Sequence, residues 1–146
     1  MAGQTITSAN SVFTLAILDL FPIPQQLSGY SADTAFTTES IDTVEVVMGV
    51  DGNMSAGWLP VIKRQTISIM PDSPSADMFD AWFSAQEAAR ELYFAQGVIV
   101  LPSVRKEFTM IKGVLSAYVP ISEVGRTLRP RQFGITWAQV LPAPLL

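Results

Sequence analysis

The segment PDSPSADMFDAWFSAQEAARELYFAQG, residues 71–97, has a helical period, and it separates two groups of strand-like runs. Ser73 is placed to cap the helix and Pro74 suits its first position. Asp77 and Asp80 lie near the positive end of the helix dipole. Met78, Phe79, Trp82, Phe83, Ala89 and Tyr93 fall on one stripe, and Asp77, Asp80, Ser84, Glu87 and Glu91 on the opposite one. Gly97 is a natural stop, so the helix is expected over 73–96. A helix with two Phe, one Trp and one Tyr on its apolar side needs a sizeable surface to cover. Strands, one helix, then more strands predict a mainly β fold with the helix against a sandwich or barrel.

SVFTLAILDL (11–20) reads as a strand. FPIPQQLSGY (21–30) reads as a loop, because Pro22 and Pro24 lack ladder donors. From Phe36 to Val50 the chain is extended again. There Ile41, Thr43, Glu45 and Val47 share one face, and Asp42, Val44, Val46, Met48 and Val50 share the other, which is expected to face a core. LPVIKRQTISIM (59–70), VIVLP (98–102), the long RKEFTMIKGVLSAYV (105–119) and RQFGITWAQVL (131–141) are further strands. Gly113 marks a bulge or bend, and Phe133, Ile135 and Trp137 share one side. PISEVGRTLRP (120–130) is rich in turn residues, and the tail PAPLL is expected to be irregular.

Residues 49–58, GVDGNMSAGW, join two strands with an arm that holds three glycines together with Met54 and Trp58. A turn needs only two to five residues. An arm that exposes a Met and a Trp either folds back on its own domain or reaches another chain.

The chain has 146 residues, consistent with a single domain over 1–146. It is 49% apolar and only 15% charged, against about a quarter charged for an ordinary soluble protein. Such a chain has a large core or buries surface between subunits. The net charge is −4, unevenly spread: residues 1–62 hold Asp19, Asp33, Glu39, Asp42, Glu45 and Asp51 and no Lys or Arg. Residues 103–131 hold Arg105, Lys106, Lys112, Arg126, Arg129 and Arg131 against Glu107 and Glu123. This asymmetry suits head-to-tail association. An acidic chain is a poor candidate for tight nucleic-acid binding.

There is no His and no Cys. That excludes the usual nucleophile–base pairs and removes the preferred zinc ligands. No glycine-rich phosphate loop is present. The carboxylate pairs Asp77/Asp80 and Glu87/Glu91 belong to the solvent stripe of the helix, and DGN (51–53) offers too few oxygen ligands for calcium. Lys63–Arg64 and Arg105–Lys106 suit surface ion pairs or subunit contacts. No enzyme activity, cofactor or metal is expected. No run of about 18 apolar residues predicts a membrane span, and the N-terminus does not read as a secretory signal.

The order and spacing of VVMGVDGNMSAGW, KRQTISIM, PDSPSADMFDAWFSAQ and QFGITWAQV, across residues 35–141, resemble the tail tube proteins of tailed bacteriophages, above all the small tube proteins of contractile-tailed phages. The resemblance implies a β-sandwich flanked by a helix, six-membered rings stacked head to tail, and a shared inner β-barrel. It implies that Asp51, Gly52, Asn53, Met54 and Trp58 belong to a loop reaching the adjacent ring. Glu39, Asp42 and Glu45 would face a lumen that conducts double-stranded DNA without holding it, and Met78, Phe79, Trp82 and Phe83 would pack the helix on its sheet. The implied partners are the chain itself, a tape-measure protein, sheath, baseplate and tail terminator. The location would be the virion tail, after assembly in the bacterial host cytoplasm. Rival readings are the tube of a type VI secretion system or bacteriocin, a monomeric small-ligand-binding β-barrel, and a carboxylate hydrolase with Asp80 or Glu87 in a cleft.

Overall fold

A computed structural model describes residues 11–18, 20–28, 36–102 and 104–144, so Asp19 and Asp33 lie outside the described residues. The elements are β1 (Val12–Ile17), β2 (Phe21–Gln26), β3 (Phe36–Thr38), β4 (Val44–Met48), β5 (Met54–Trp58), β6 (Lys63–Ile69), α1 (Pro74–Ala89), β7 (Ala95–Leu101), β8 (Lys106–Tyr118) and β9 (Arg131–Pro144). Seven strands form one antiparallel sheet in the order β2-β1-β7-β8-β9-β6-β3, and among the described residues β4 and β5 pair only with each other.

Alternation decides which face of the sheet is buried. Phe13, Leu15 and Ile17 of β1, Ile67 and Ile69 of β6, and Phe133, Ile135 and Trp137 of β9 are all fully buried. The sheet curls around them: Phe13 on the second strand meets Phe36 on the seventh, edge to face, with ring centroids 5.5 Å apart. Bulges in β8 assist the curl, since the register slips opposite Ala95–Gly97 and again at Leu115–Ala117. The first slip sits beside Gly113, as expected, and Lys112 takes the positive φ of 56°. Gly113 has a different task. A Cβ there would lie 2.5 Å from the Trp137 ring, so only glycine lets the strand approach the indole.

The mainly β fold with one helix is as expected; its curled sheet is not a closed barrel, since the edge strands β2 and β3 do not pair with each other among the described residues. The second layer is the helix. Phe79 stacks on Phe133 at 4.4 Å between centroids and Phe83 on Tyr118 at 4.2 Å, so α1 covers the Arg131 end of the sheet. Met78 and Trp82 are buried with them and Phe83 is half-buried.

Four expectations are corrected. First, FPIPQQ is strand β2, paired with β1. Pro22 and Pro24 are two apart, so both missing donors fall on one side, and an edge strand has one side with no partner. Second, the helix ends at Ala89, not at residue 96. Arg90 caps it in the left-handed region at φ 56°, donating its N–H to the Gln86 carbonyl. Residues 95–101 instead gain ladder bonds to both β1 and β8. Gly97 is therefore a strand residue packed tightly under the core rings: a Cβ there would lie 3.2 Å from the Trp137 indole and would displace the flexible end of Met110. Third, the tail is not irregular up to Pro144: β9 continues through Pro142 and Pro144, paired with Phe108 and Lys106. These prolines too are two apart, on a stretch where β6 no longer flanks β9. Fourth, the face of Val44, Val46, Met48 and Val50 meets no core, because β4 has left the sheet.

Candidate assembly surface

The segment read as an arm is the turn and second strand of a protruding β-hairpin. The register is Val44↔Trp58, Glu45↔Gly57, Val46↔Ala56, Val47↔Ser55 and Met48↔Met54. Residues directly opposite share a face. One face is therefore Val44, Val46, Met48, Met54, Ala56 and Trp58, with no polar side chain among them. The five larger of these keep between 49% and 74% of their surface exposed. The turn is organised locally. Gly49 and Asn53 close it at 2.8 Å, Gly52 takes φ 85°, and the Asp51 carboxylate accepts from the Asn53 backbone N–H and side-chain amide. Those bonds from Asn53 hold the Asp51 carboxyl below its usual pKa.

The hairpin continues the β3–β6 ribbon. Glu39 N–H donates to the Arg64 carbonyl at 3.0 Å, and Leu59 N–H to the Thr43 carbonyl at 2.7 Å. Glu39, Asp42 and Glu45 are all exposed along this ribbon, Glu45 on the hairpin face opposite Val44. None of the three lies within the seven-stranded sheet. An isolated two-stranded hairpin is marginal in water, so an apolar face of this size calls for a cover.

At the other end of the ribbon, beyond Met70, lies the 119–130 loop. It forms a small bridge, Val124 to Leu128, with Arg129 N–H donating to the Glu123 carbonyl and their side chains 3.6 Å apart. Ile121 and Val124 are 77% and 73% exposed, and Val119 and Leu128 are exposed beside them.

The sheet anchors this loop through Arg131, a residue that charge counting assigned to a cationic patch. Arg131 is buried. Its guanidinium donates to both Asp80 carboxylate oxygens, at 2.7 and 3.2 Å, and to the carbonyls of Val119 and Pro120. Tyr118 donates its hydroxyl to the same Asp80. Asp80 is thus more than a solvent-stripe residue: half-exposed, it ties α1 to the starts of β9 and the loop. Only its carboxylate character and its position one turn from Asp77 were visible beforehand, and neither named a partner 51 residues away. Hydrogen bonds from Arg131 hold the Asp80 carboxyl below its usual value, whereas burial and the bond to Asp80 push the Tyr118 phenol up. A folded-state value below the unfolded one adds stability that is complete above about pH 4. It is lost as the pH falls through the lower, folded value. Melting temperature against pH should therefore drop below about pH 4 in the wild type, and Asp80→Asn should start lower and flatten that limb. An unchanged acid limb in the variant would remove Asp80 from the account.

Glu87 and Glu91 are exposed, Glu91 beyond the helix end, beside a groove of about 640 Å³ between α1 and β8. Glu87 and Glu91 both line that groove and Asp80 does not, and among the described residues no cluster of three metal-ligating side chains occurs. Inside the curl is an apolar cavity of about 320 Å³ lined by Phe36, Ile99, Phe108, Met110, Trp137 and Val140. No helix among the described residues is long and apolar enough to cross a membrane.

A single curled antiparallel sheet capped by one helix, with a ribbon standing off it, is a fold found in contractile injection assemblies. A chain of the anti-feeding prophage tube-terminating cap matches with a TM-score of 0.66 at 12% identity, over 99% of this chain and 94% of that one. A chain of an extracellular contractile injection system, in its extended PVC sheath–tube complex, matches at 0.65 and 9%, over 91% and 88%. A chain of the anti-feeding prophage baseplate matches at 0.59 and 12%, over 99% of each. At such identities the likeness is one of fold. The family model described as tail fiber protein gp32 matches residues 4–141, and the chain belongs to that family. It is a phage-tail-like protein. No curated protein matches it.

Proposed function

We propose that this chain is the subunit of a tail tube: six copies form a ring, rings stack head to tail, and the resulting bore conducts DNA. The observation that carries the reading is the hairpin, an apolar face projected away from the body with nothing among the described residues to cover it. A subunit built for stacking needs such a projection, and the low charge content fits surface hidden between copies. Glu39, Asp42 and Glu45, exposed on a segment without cations, would make a wall that repels phosphate and lets DNA pass. Residues 49–58, with Asp51, Gly52, Asn53, Met54 and Trp58, would reach the adjacent ring. The work is assembly and passive conduction, without bond chemistry. The partners would be a tape-measure protein inside the tube, a sheath around it, and a baseplate and terminator at its ends, in the virion tail. The same physics would serve the tube of a bacteriocin or type VI secretion system.

The family's description favours a second reading, a tail fibre subunit. Negative-stain electron microscopy of the purified protein over a concentration series, with light scattering on the same samples, separates the two. Hollow rings or tubes with six-fold end views are expected. Solid rods without a bore would favour the fibre, and a particle that stays monomeric at every concentration would overturn both.

A further inference from the structure

The hairpin needs a receiving surface that is apolar, exposed and of opposite charge, and the far pole of the same chain carries one. β3 and β4 run away from the Met70 end of the sheet, and β5 and β6 run back toward it. The hairpin tip and the 119–130 loop therefore lie at opposite ends of one ribbon, on the order of 50 Å apart if it is straight. Residues 39–58 contain four carboxylates, Glu39, Asp42, Glu45 and Asp51, and no cation. The loop contains Arg126 and Arg129 against Glu123, and because Arg129 is paired with Glu123, Arg126 is left without an ion pair among the described residues.

We propose that the β4–β5 hairpin of one copy docks on the 119–130 loop of the next. Its apolar face covers Ile121, Val124 and Leu128, and Asp51 at its turn faces Arg126, while Glu45 stays on the opposite face. This rests on the stacked-tube reading and adds the receiving surface to it. A contact between two different poles of identical chains does not close on itself as a two-fold dimer; it propagates, as stacking requires. Charge selects this surface over the groove between α1 and β8. That groove is also apolar, with Phe83 and Leu92, but it presents Glu87 and Glu91 against Arg90 alone, and would repel the acidic hairpin.

The absence of native cysteine makes cross-linking unambiguous. Met54→Cys and Val124→Cys, both at exposed positions, are prepared separately, mixed in equal amounts and mildly oxidised. A disulfide-linked heterodimer is expected, and the double variant should give a ladder of covalent multimers. Arg126→Glu should raise the concentration needed for assembly at least tenfold at low salt. Mixing Met54→Cys with Leu92→Cys should give no product; a product there instead would place the hairpin in the groove and overturn the proposal. Rings or tubes of wild-type protein without the Met54–Val124 product would overturn this docking and leave the tube reading standing. A wild-type chain that never associates would overturn both.

Discussion

A chain in which Val44–Trp58 is replaced by Asn-Gly is expected to fold normally and to build no long assemblies. Thr43 and Leu59 are already joined by a hydrogen bond of 2.7 Å from the Leu59 N–H to the Thr43 carbonyl. That is the bond that closes a two-residue hairpin turn, for which Asn-Gly is the favoured sequence. The excised segment adds nothing to the described core: all fifteen positions are exposed and, among the described residues, the two strands pair only with each other. Melting temperature should therefore stay within a few degrees of the wild type, whereas light scattering and electron microscopy should show only subunits or short rings. Tubes of normal length from the shortened chain would end the inter-ring role of the hairpin. A collapse in stability would show that the hairpin packs on its own body.

Trp82→Ala is expected to cost about 3–5 kcal/mol of folding stability. The indole is fully buried, 6.2 Å from the Phe79 ring, and its Nε1–H donates to the Tyr93 carbonyl at 2.9 Å. Two losses combine. Truncation opens a cavity under the helix, and it strands the carbonyl that holds residues 90–94 against the helix end. For a domain of this size that is a large share of a total near 5–15 kcal/mol. The melting temperature should fall by on the order of 10 °C. Trp82→Phe keeps most of the volume and loses the bond, so its cost should be closer to 1 kcal/mol. Urea denaturation of the two variants separates the terms. A near-neutral Trp82→Ala would mean that the side chain belongs to an assembly surface.

Periodicity carried the helix and the strands that face the core. The stripe Met78, Phe79, Trp82 was readable because period 3.6 leaves no other way to bury those side chains, and Phe133, Ile135 and Trp137 because period 2 puts all three on one face. The apolar alternation of Val44, Val46 and Met48 was equally legible and its destination was not. Alternation says that a face is apolar; it does not say whether the covering layer comes from the same chain. Proline misled twice, at FPIPQQ and at the tail, because a missing donor forbids only the side of a strand that has a partner, and which side is free depends on neighbours far away in sequence.

The helix end shows the same division. ARELYFAQG is compatible with more helix or with strand, and the ladders to β1 and β8 settled it, with Arg90 as the cap. The pairing of Asp80 with Arg131 had no sequence signal, since two charges 51 residues apart meet only if α1 crosses the end of β9. By itself, then, the sequence determined the mainly β class, the buried helix stripe, the absence of His and Cys chemistry and the acidic-to-basic gradient along the chain. All of these are local or additive properties. The tertiary structure decided that one sheet curls instead of two stacking, that the glycine-rich arm is a hairpin with a bare apolar face, and that this face and a cationic loop stand at opposite poles. Those depend on which strands become neighbours, which is a long-range outcome of packing.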